Sequence, residues 1–219
     1  MRILDLFSGT GSATKAFEDA GHEVIKIEID EKYEAHERNV LDMTSNYLID
    51  KYGEFDFVWA SPPCQKFSIA SVWKYWDGDR RTQNKTPKSE EVLEAIRLVE
   101  FTIDLIRKLN PKAWLIENPR GMLRKQEVML QLPRITVTYC QYGDTRMKPT
   151  DLWGVVENWE PKPMCKNGDS CHTSSPRGTN LGTARTRSPE KRSLIPYGLG
   201  LEIMKTLEKN KEGKNELEK

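Results

Sequence analysis

The chain has 219 residues, the length of one domain with a small appendage, and its 34 Lys and Arg against 33 Asp and Glu give a net charge of +1. This balance excludes a basic surface spread over the whole fold as the means of holding nucleic acid, but it leaves room for local basic patches. Four cysteines are too few and too unevenly placed for a disulfide-stapled secreted fold, and we expect neither a signal peptide nor a transmembrane helix. Hydrophobic residues make up 37% of the chain, enough for one core, so the composition predicts a cytoplasmic α/β enzyme.

The first 30 residues predict the layout of a Rossmann-type nucleotide site. The predicted elements are, in chain order, strand Arg2–Phe7, a small-residue turn over 8–12, helix Ala13–Ala20 and strand His22–Ile29. The second strand ends at the acids Glu28 and Asp30, and a carboxylate at this place suits a ribose diol. The Gly9–Gly11 pair lacks the third glycine of the dinucleotide fingerprint, and taken alone it serves equally well as a tight structural turn.

The alternation of strands and helices continues to about residue 156. Further strands are predicted at Val40–Met43, Asp56–Ala60, Ala113–Glu117, Arg134–Cys140 and Asp151–Val156, and helices at Thr44–Tyr52, Ser89–Leu109 and Leu199–Lys209. Pro, Gly, Ser and Thr then dominate residues 157–190, which indicates irregular structure. We therefore predict a core over 1–156, a small irregular segment over 157–195, a returning helix over 196–210 and a fraying Lys- and Glu-rich tail over 211–219.

Two strand ends carry residues suited to covalent catalysis. Two prolines fix the backbone just before Cys64 and place its thiol at the carboxyl end of a strand, where α/β sheets bind ligands. Glu117 ends the next long strand, and sheet order can set it beside Cys64 as a proton-donating partner of a thiol nucleophile. Without that pairing, a lone cysteine is more often an inert small hydrophobe and a strand-end acid is more often simply solvated.

Three motifs together resemble the C5-cytosine methyltransferase family, and they occur in that family's order. They are Asp-Leu-Phe-Ser-Gly-Thr-Gly-Ser at Asp5–Ser12, Pro-Pro-Cys-Gln at Pro62–Gln65 and Glu-Asn-Pro at Glu117–Pro119. The resemblance covers roughly residues 1–156, and short phage- and prophage-type members are the most similar. It implies a Rossmann-like α/β fold with a mixed, mostly parallel sheet flanked by helices, and a small irregular target-recognition segment.

The resemblance also implies the reaction. A methyl group would pass from S-adenosylmethionine to C5 of a cytosine in double-stranded DNA, inside a bacterium or an infected host cell. The enzyme would be a monomer without membrane contact, serving phage DNA protection or restriction-modification, in the latter case with a cognate restriction enzyme. Because C6 of the ring is out of reach inside the stack, base flipping is implied.

The resemblance assigns roles to a catalytic set: Cys64, Gln65, Glu117, Asn118, Arg146 and Lys148. Cys64 would attack C6 of the ring, and Glu117 would protonate or hydrogen-bond N3. Many family members carry Gln-x-Arg-x-Arg after a Tyr-Gly, and here Arg146 and Lys148 would supply that cationic pair. The cofactor set would be Asp5, Phe7, Ser8, Gly9, Thr10, Gly11, Glu28, Ile29, Asp30, Asp42 and Pro63. Within it, Glu28 would take the ribose hydroxyls, Ile29 would pack on the adenine and Asp42 would accept from the adenine amine.

Two stretches combine local positive charge with features of nucleic-acid contact. Lys66–Lys88 interleaves cations with aromatic residues, which suits phosphate contact and base stacking, and Pro176–Arg192 is rich in arginine. In the family, the loop after the catalytic Cys closes over the flipped base. The candidates for nucleic-acid binding are Ser68, Lys74, Arg80, Arg81, Arg177, Arg185 and Arg187. Without the resemblance, solvated loops explain both stretches equally well.

The remaining cysteines suggest a metal. Cys165, Cys171 and His172 form a Cys-x5-Cys-His run in a segment with few core residues. With Cys140 they would make a Cys3His set, a standard closed structural zinc site. Zinc would supply stability that this segment cannot get from apolar burial. The spacing is not that of a standard knuckle, so free, partly buried cysteines are the alternative.

Three other functions stay open. The first is cytosine-C5 methylation of RNA by the same chemistry, which the short recognition segment permits. The second is transfer of another group, or methylation of another pyrimidine. The third is a catalytically silent protein that binds nucleic acid or cofactor, against which the intact Cys64, Gln65 and Glu117 argue.

Overall fold

The computed structural model describes residues 1–78, 85–174 and 188–217. Within them the strands are β1 Arg2–Leu6, β2 Glu23–Ile27, β3 Phe57–Ala60, β4 Trp76–Asp77, β5 Thr86–Pro87, β6 Ala113–Pro119, β7 Arg134–Thr138 and β8 Pro149–Val155. The α-helices are α1 Lys15–Asp19, α2 Ser45–Tyr52, α3 Val72–Tyr75, α4 Glu90–Leu109, α5 Glu127–Leu130, α6 Pro189–Ser193 and α7 Tyr197–Leu217.

One six-stranded sheet carries the fold, in the order β2-β1-β3-β6-β8-β7. Strands β2, β1, β3 and β6 pair in parallel, whereas β8 is antiparallel to both of its neighbours. The predicted mixed, mostly parallel sheet is therefore confirmed. Because β2 and β3 lie on opposite sides of β1, the carboxyl end of β1 is a topological switch point, where open α/β sheets bind their ligands.

Helices cover both faces of the sheet. Leu4, Leu6 and Val58 point to one face and join a buried cluster with residues of α2 and α4. Ile3 and Phe57 alternate with them, point to the other face and join a second cluster with α1 and α7. Burial on both faces explains why the parallel strands are apolar almost throughout.

Helix α7 closes the second face by a close approach to the segment before α1. A Cβ at Gly200 would come within 2.6 Å of the carbonyl oxygen of Ala13, so glycine is required at this contact. Ile203 on the same helix is fully buried. The helix runs to Leu217 and not to about residue 210 as predicted, because Lys and Glu in the tail are good helix formers.

Residues Val40–Met43, predicted as a strand, contain instead a short 3-10 helix over Val40–Asp42. The side chain of Asn39 accepts a hydrogen bond from the backbone N–H of Leu41 at 3.1 Å. Two residues beyond this turn, Thr44 already caps α2. The two caps lie so close together that no room is left for a strand.

Residues 157–174 contain neither helix nor strand, in line with their composition, and α6 follows before the chain returns to the sheet as α7. Across the residues that the structure describes, we find no helix with the length and apolar character needed to cross a membrane.

Candidate active site

The turn after β1 presents its backbone to open space. Phe7, Gly9 and Gly11 all have positive φ, at 60°, 49° and 71°, and Phe7 holds this strained conformation without being glycine. The N–H of Ser8 donates to the carbonyl oxygen of Ile27 at 3.2 Å, which ties the turn to the end of β2. A Cβ at Gly9 would meet no atom within 4 Å, so a ligand has room to approach the turn closely.

Glu28 lies over this turn with both carboxylate oxygens held. Oε2 accepts from the backbone N–H of Gly9 at 2.7 Å, and Oε1 accepts from the N–H of Asp30 at 2.9 Å. Each oxygen keeps a second acceptor position for a ligand hydroxyl. The neighbouring Ile29 is an exposed apolar side chain, 67% accessible. The arrangement is a fixed carboxylate beside an uncovered apolar surface.

The other members of the predicted cofactor set differ in exposure. Ser8 is buried, and its Oγ has no hydrogen-bond partner among the described residues. Thr10, Asp42 and Pro63 are exposed. Asp30 is turned to the surface, where its carboxylate pairs with Lys32 at 2.9 Å.

Asp5 is a fully buried carboxyl group beneath the turn. The hydroxyl of Thr14 donates to Oδ2 at 2.6 Å, while Oδ1 has no partner among the described residues. Burial raises the pKa of Asp5 to about 7, against the opposing effects of Thr14 and the Lys26 charge. The carboxyl group is therefore half protonated near neutral pH.

Asp5→Asn is expected to stabilise the protein at about pH 8 and to change little at about pH 4. The folded-state pKa lies above the unfolded value, so the contribution of Asp5 to stability is complete at low pH and is lost as pH rises through about 7. Because the pKa is raised by about three units, the gain in unfolding free energy at high pH is at most about 4 kcal/mol. Urea unfolding of both proteins at several pH values measures it, with Asp50→Asn on the exposed side of α2 as control. Parallel pH profiles for wild type and Asp5→Asn would contradict the prediction.

The Cys64 loop leaves the end of β3 and is fixed by β6. The side chain of Asn118 donates from Nδ2 to the carbonyl oxygen of Pro62 at 2.9 Å. The carbonyl oxygen of Cys64 accepts from the N–H groups of Phe67 and Ser68, at 3.0 and 2.9 Å. These bonds close a turn at the nucleophile candidate and hold it against the neighbouring strand. Gln65 is exposed beside it.

The Cys64 thiol is in a crowded, charged surrounding although the residue is partly exposed. Burial raises the pKa of the Cys64 thiol, and the charge of Glu117 raises it further. The positive charge of Lys148 acts in the opposite direction. Cys64 follows the carboxyl end of β3, and Glu117 lies toward the carboxyl end of the neighbouring parallel strand β6, so the thiol, the Glu117 carboxylate and the Lys148 ammonium group lie at the same edge of the sheet.

Glu117 is buried and anchored by a tyrosine. The hydroxyl of Tyr139 donates to Glu117 Oε1 at 2.7 Å, and Lys148 Nζ lies 4.0 Å from the same oxygen. Lys148 Nζ also lies 4.7 Å from the centre of the Tyr139 ring and donates to the carbonyl oxygen of Arg192 at 3.0 Å. Burial lowers the pKa of Lys148, and burial together with the Glu117 charge raises the pKa of Tyr139 well above its usual value.

Tyr139 is a site residue that the sequence pattern does not single out. The pattern assigns it only to the apolar alternation of the predicted strand Arg134–Cys140, with Ile135 and Val137. The structure ends β7 at Thr138 and places Tyr139 in a 3-10 helix over Tyr139–Tyr142. A tyrosine on a buried strand face needs a partner for its hydroxyl, and that requirement is the available signal.

Arg146 is buried near Lys148 and Tyr139, and its charge acts on both, but its guanidinium is bound to other groups. Its guanidinium pairs with Asp144, with Nε 2.7 Å from Oδ2, and donates to the carbonyl oxygens of Lys191 and Leu194. The Arg146 nitrogens that the resemblance would place near the cytosine are thus engaged in holding α6 and the residues after it. Of the expected cationic pair, the structure brings only Lys148 to Glu117.

The predicted nucleic-acid residues are described only in part. Ser68 lies in the Cys64 loop and forms an isolated antiparallel bridge with Gly121. Lys74 is exposed on α3, with Nζ 4.9 Å from the centre of the Tyr75 ring. The neighbouring Trp73 is 71% exposed, which makes it the most accessible large apolar side chain described. Arg80, Arg81, Arg177, Arg185 and Arg187 lie outside the described residues.

The structure brings Cys140, Cys165, Cys171 and His172 together in one group, the Cys/His cluster. One ligand atom from each lies within 4.8 Å of all the others. The cluster lies next to the Glu117 anchor because Cys140 directly follows Tyr139 in the chain. Burial and the neighbouring thiols raise the pKa of Cys140 to about 12.

Comparison with known proteins identifies a family for the chain. Residues 1–137 match the model of the C-5 cytosine-specific DNA methylase family. The chain is 35% identical over 175 residues to the "Probable DNA (cytosine-5)-methyltransferase" of frog virus 3 (isolate Goorha), covering 78% of each. It is 32% identical over 135 residues to the type II methyltransferase M.HgiCI of Herpetosiphon aurantiacus, covering 56% of this chain and 28% of that protein. The chain thus matches less than a third of this bacterial relative.

Solved structures show the same fold. The Entamoeba histolytica methyltransferase EhMeth aligns with a TM-score of 0.51 at 14% identity, over 76% of this chain and 57% of that chain. A DNA modification methyltransferase encoded within an E. coli prophage aligns with a TM-score of 0.50 at 20% identity, over 71% and 46%. Fold and strand-end site together define an α/β methyltransferase. The chain belongs to the C-5 cytosine-specific DNA methylase family, which confirms the resemblance carried by the three motifs and the enzyme class that it implied.

Proposed function

We propose that the chain transfers a methyl group from S-adenosylmethionine to C5 of a cytosine in DNA, through a covalent bond between Cys64 and C6. The observation that carries the proposal is the placement of Cys64 and Glu117 at the ends of the neighbouring parallel strands β3 and β6, with Lys148 Nζ 4.0 Å from Glu117 Oε1. These residues lie next to the open glycine turn after β1. The nucleophile, the acid and the proposed cofactor site are therefore at the same edge of the sheet.

The glycine turn and Glu28 fit the cofactor. S-adenosylmethionine supplies the methyl group when bound and presents a ribose diol, an adenine and a charged amino acid end. Glu28 is fixed by two backbone N–H groups and keeps acceptor positions for the diol, while the exposed Ile29 offers an apolar surface to the adenine. Among the described residues, Ser8 Oγ has no hydrogen-bond partner, and it lies in the turn that a bound cofactor would approach.

The chemistry proceeds by forming and then breaking one bond to sulfur. The Cys64 thiol loses its proton and Sγ bonds to C6, while Glu117 gives a proton to N3 so that the ring does not carry the negative charge. The C5–C6 double bond is thereby opened, and C5 becomes nucleophilic enough to take the methyl group. A base or a water molecule takes the C5 proton, and the electrons of the C–H bond re-form the C5–C6 double bond as the Sγ–C6 bond breaks and the thiolate leaves. N3 then returns its proton to Glu117.

Lys148, Tyr139 and Asn118 support these steps. The Lys148 charge favours the thiolate of Cys64, which the buried surrounding otherwise disfavours. The Tyr139 hydroxyl fixes the Glu117 carboxyl group, and Asn118 fixes the loop that carries the thiol. Each group thus keeps its geometry before the base arrives.

The substrate is proposed to be a cytosine flipped out of double-stranded DNA, because C6 cannot be reached in the stack. The exposed Trp73 and Lys74 on the loop after Cys64 offer a stacking surface and a phosphate contact. The biological role would be restriction-modification or protection of phage DNA. The zinc ion expected at the Cys/His cluster has no part in this chemistry.

The test is transfer of labelled methyl from S-adenosylmethionine to unmethylated double-stranded DNA, single-stranded DNA and RNA, with mapping of the product base. Label found as 5-methylcytosine in double-stranded DNA supports the proposal. Label found only in RNA, or in a different base, would show that the proposed substrate is wrong. Absence of label with all three, in a protein that binds the cofactor, would refute transfer and leave a binding role.

Glu117→Gln is expected to slow methyl transfer by about 10²-fold or more, the usual scale for a lost general acid. The amide keeps the shape and can still accept from Tyr139, but it cannot give N3 a proton. Single-turnover rates measure the effect, with Glu94→Gln on the exposed side of α4 as the matched control. An unchanged rate in Glu117→Gln would remove this residue from the mechanism.

A further inference from the structure

The segment 157–174 has almost no apolar contact to hold it. Cys165 is the only residue in it that is buried. Its backbone N–H donates to the Thr138 hydroxyl at 3.1 Å, and a few hydrogen bonds connect the rest of the segment to the core. Trp159 adds a partly buried contact with the cluster on the second face of the sheet. Burial of this extent offsets only part of the entropy that is lost when the segment is ordered. A bond at Cys165 would add stabilisation that apolar burial does not supply.

The Cys/His cluster has the dimensions of a tetrahedral zinc site. Cys140 Sγ lies 3.6 Å from Cys171 Sγ, and His172 Nδ1 lies 3.5 Å from Cys171 Sγ and 3.7 Å from Cys165 Sγ. Zinc–sulfur bonds of about 2.3 Å and zinc–nitrogen bonds of about 2.0 Å give tetrahedron edges of roughly 3.6–3.8 Å. The Cys140–Cys165 edge is shorter, at 3.0 Å, and would open by under about 1 Å on binding.

The alternative of a disulfide fits less well. The Cys140–Cys165 Sγ distance of 3.0 Å is far longer than a bonded S–S distance of about 2.05 Å, and all four cysteines of the chain are free. A disulfide would also leave Cys171 and His172 facing the bridge without a function. The convergence of all four side chains is explained by one ion and not by one covalent pair.

The surroundings of the cluster suit thiolate ligands. The Gln141 side chain donates from Nε2 to Cys171 Sγ at 3.6 Å, and Thr138 is a hydrogen-bond partner of the Cys140 thiol. Donors to ligating sulfur are the usual outer contacts of a metal site. His172 turns Nδ1 toward the sulfurs and buries Nε2 without a described partner, which is the orientation of a ligand through Nδ1.

We infer that Cys140, Cys165, Cys171 and His172 bind one structural Zn²⁺, with three thiols each releasing a proton and His172 neutral. Four protein ligands leave no open position, so the ion is structural. It fastens the segment 157–174 to the turn after β7. Because Cys140 follows Tyr139, the same ion steadies the residue that holds Glu117. The inference does not depend on the proposed function.

The experiment is metal analysis of the full chain purified without chelator, for wild type and two Cys→Ser variants. Wild type and Cys64→Ser are expected to carry about one zinc per chain, and Cys171→Ser to lose most of it. Cys64→Ser is the matched control because it removes the cysteine that lies outside the cluster. The readout is independent of methyl transfer, so failure of the proposed function leaves it intact.

A second measurement on wild type covers the case in which Cys171→Ser does not fold. With zinc bound, only Cys64 should react quickly with an alkylating reagent, and removal of the metal should expose three more thiols and lower the Tm. Cobalt in place of zinc should give thiolate charge-transfer absorption. Wild type without zinc, equal reactivity of all four cysteines, or a Cys140–Cys165 disulfide found by mass spectrometry would each overturn the inference.

Discussion

Cys64→Ala should reduce methyl transfer by at least about 10⁴-fold, the scale seen when a covalent nucleophile is removed from an enzyme. Without the Sγ–C6 bond, C5 of cytosine is not nucleophilic enough to take a methyl group. The Pro62–Asn118 contact that shapes the loop does not involve the thiol, so the fold and the cofactor place should persist. Single-turnover transfer to unmethylated DNA measures the loss.

Two controls separate loss of chemistry from loss of structure. S-adenosylmethionine binding and the Tm of Cys64→Ala should match wild type, and its DNA complex should still form. Wild-type activity should also rise with pH, because burial raises the pKa of the Cys64 thiol and only the thiolate attacks. Full activity in Cys64→Ala would exclude the covalent mechanism.

Asp151→Ala should cost about 3 kcal/mol or more of unfolding free energy, because it breaks a buried ion pair. Asp151 is fully buried on β8. Its carboxylate accepts from Arg124 Nε at 2.8 Å, from the Arg124 Nη2 group and from the Thr136 hydroxyl at 2.7 Å. Its removal leaves a largely buried guanidinium and a hydroxyl without their partner. Urea unfolding measures the difference.

The exposed Arg2–Glu23 pair provides the comparison. Its two side chains are 34% and 51% accessible, at a distance of 2.8 Å. Glu23→Ala should therefore change the unfolding free energy by less than about 1 kcal/mol. Equal losses in the two variants would show that burial of the Asp151 pair does not decide its contribution.

Much of the fold can be predicted from local sequence. The apolar runs of β1, β3 and β6 and the helical spacing of α4 are local patterns that burial on a two-sided sheet requires. The strand-end residues Cys64 and Glu117 could be placed near each other because the carboxyl ends of parallel strands share one edge. The 3-10 helix at Val40–Asp42 escapes prediction because capping by Asn39 outweighs a short apolar pattern.

Contacts set by the antiparallel half of the sheet could not be predicted. Tyr139 reaches Glu117 across a separation of 22 residues, which depends on the register of β6, β8 and β7. The same holds for Arg146, whose partner carbonyls lie 45 and 48 residues further on. The Cys/His cluster is different, because its four members, Cys140 included, were predicted together from the sequence, and the turn after β7 is what brings Cys140 to the others.

The reversed strand β8 and the helix α7 fix both ends of the chain segment that lies between them. At one end of the segment, β8 is paired in the sheet directly after Lys148. At the other end, α7 packs on the segment before α1 through Gly200. A longer segment between two fixed points adds little to the entropy cost of closing the loop, because each doubling of the loop length costs only about 0.6 kcal/mol. The segment between β8 and α7 can therefore vary in length at a low cost in entropy while the sheet and its strand ends stay unchanged.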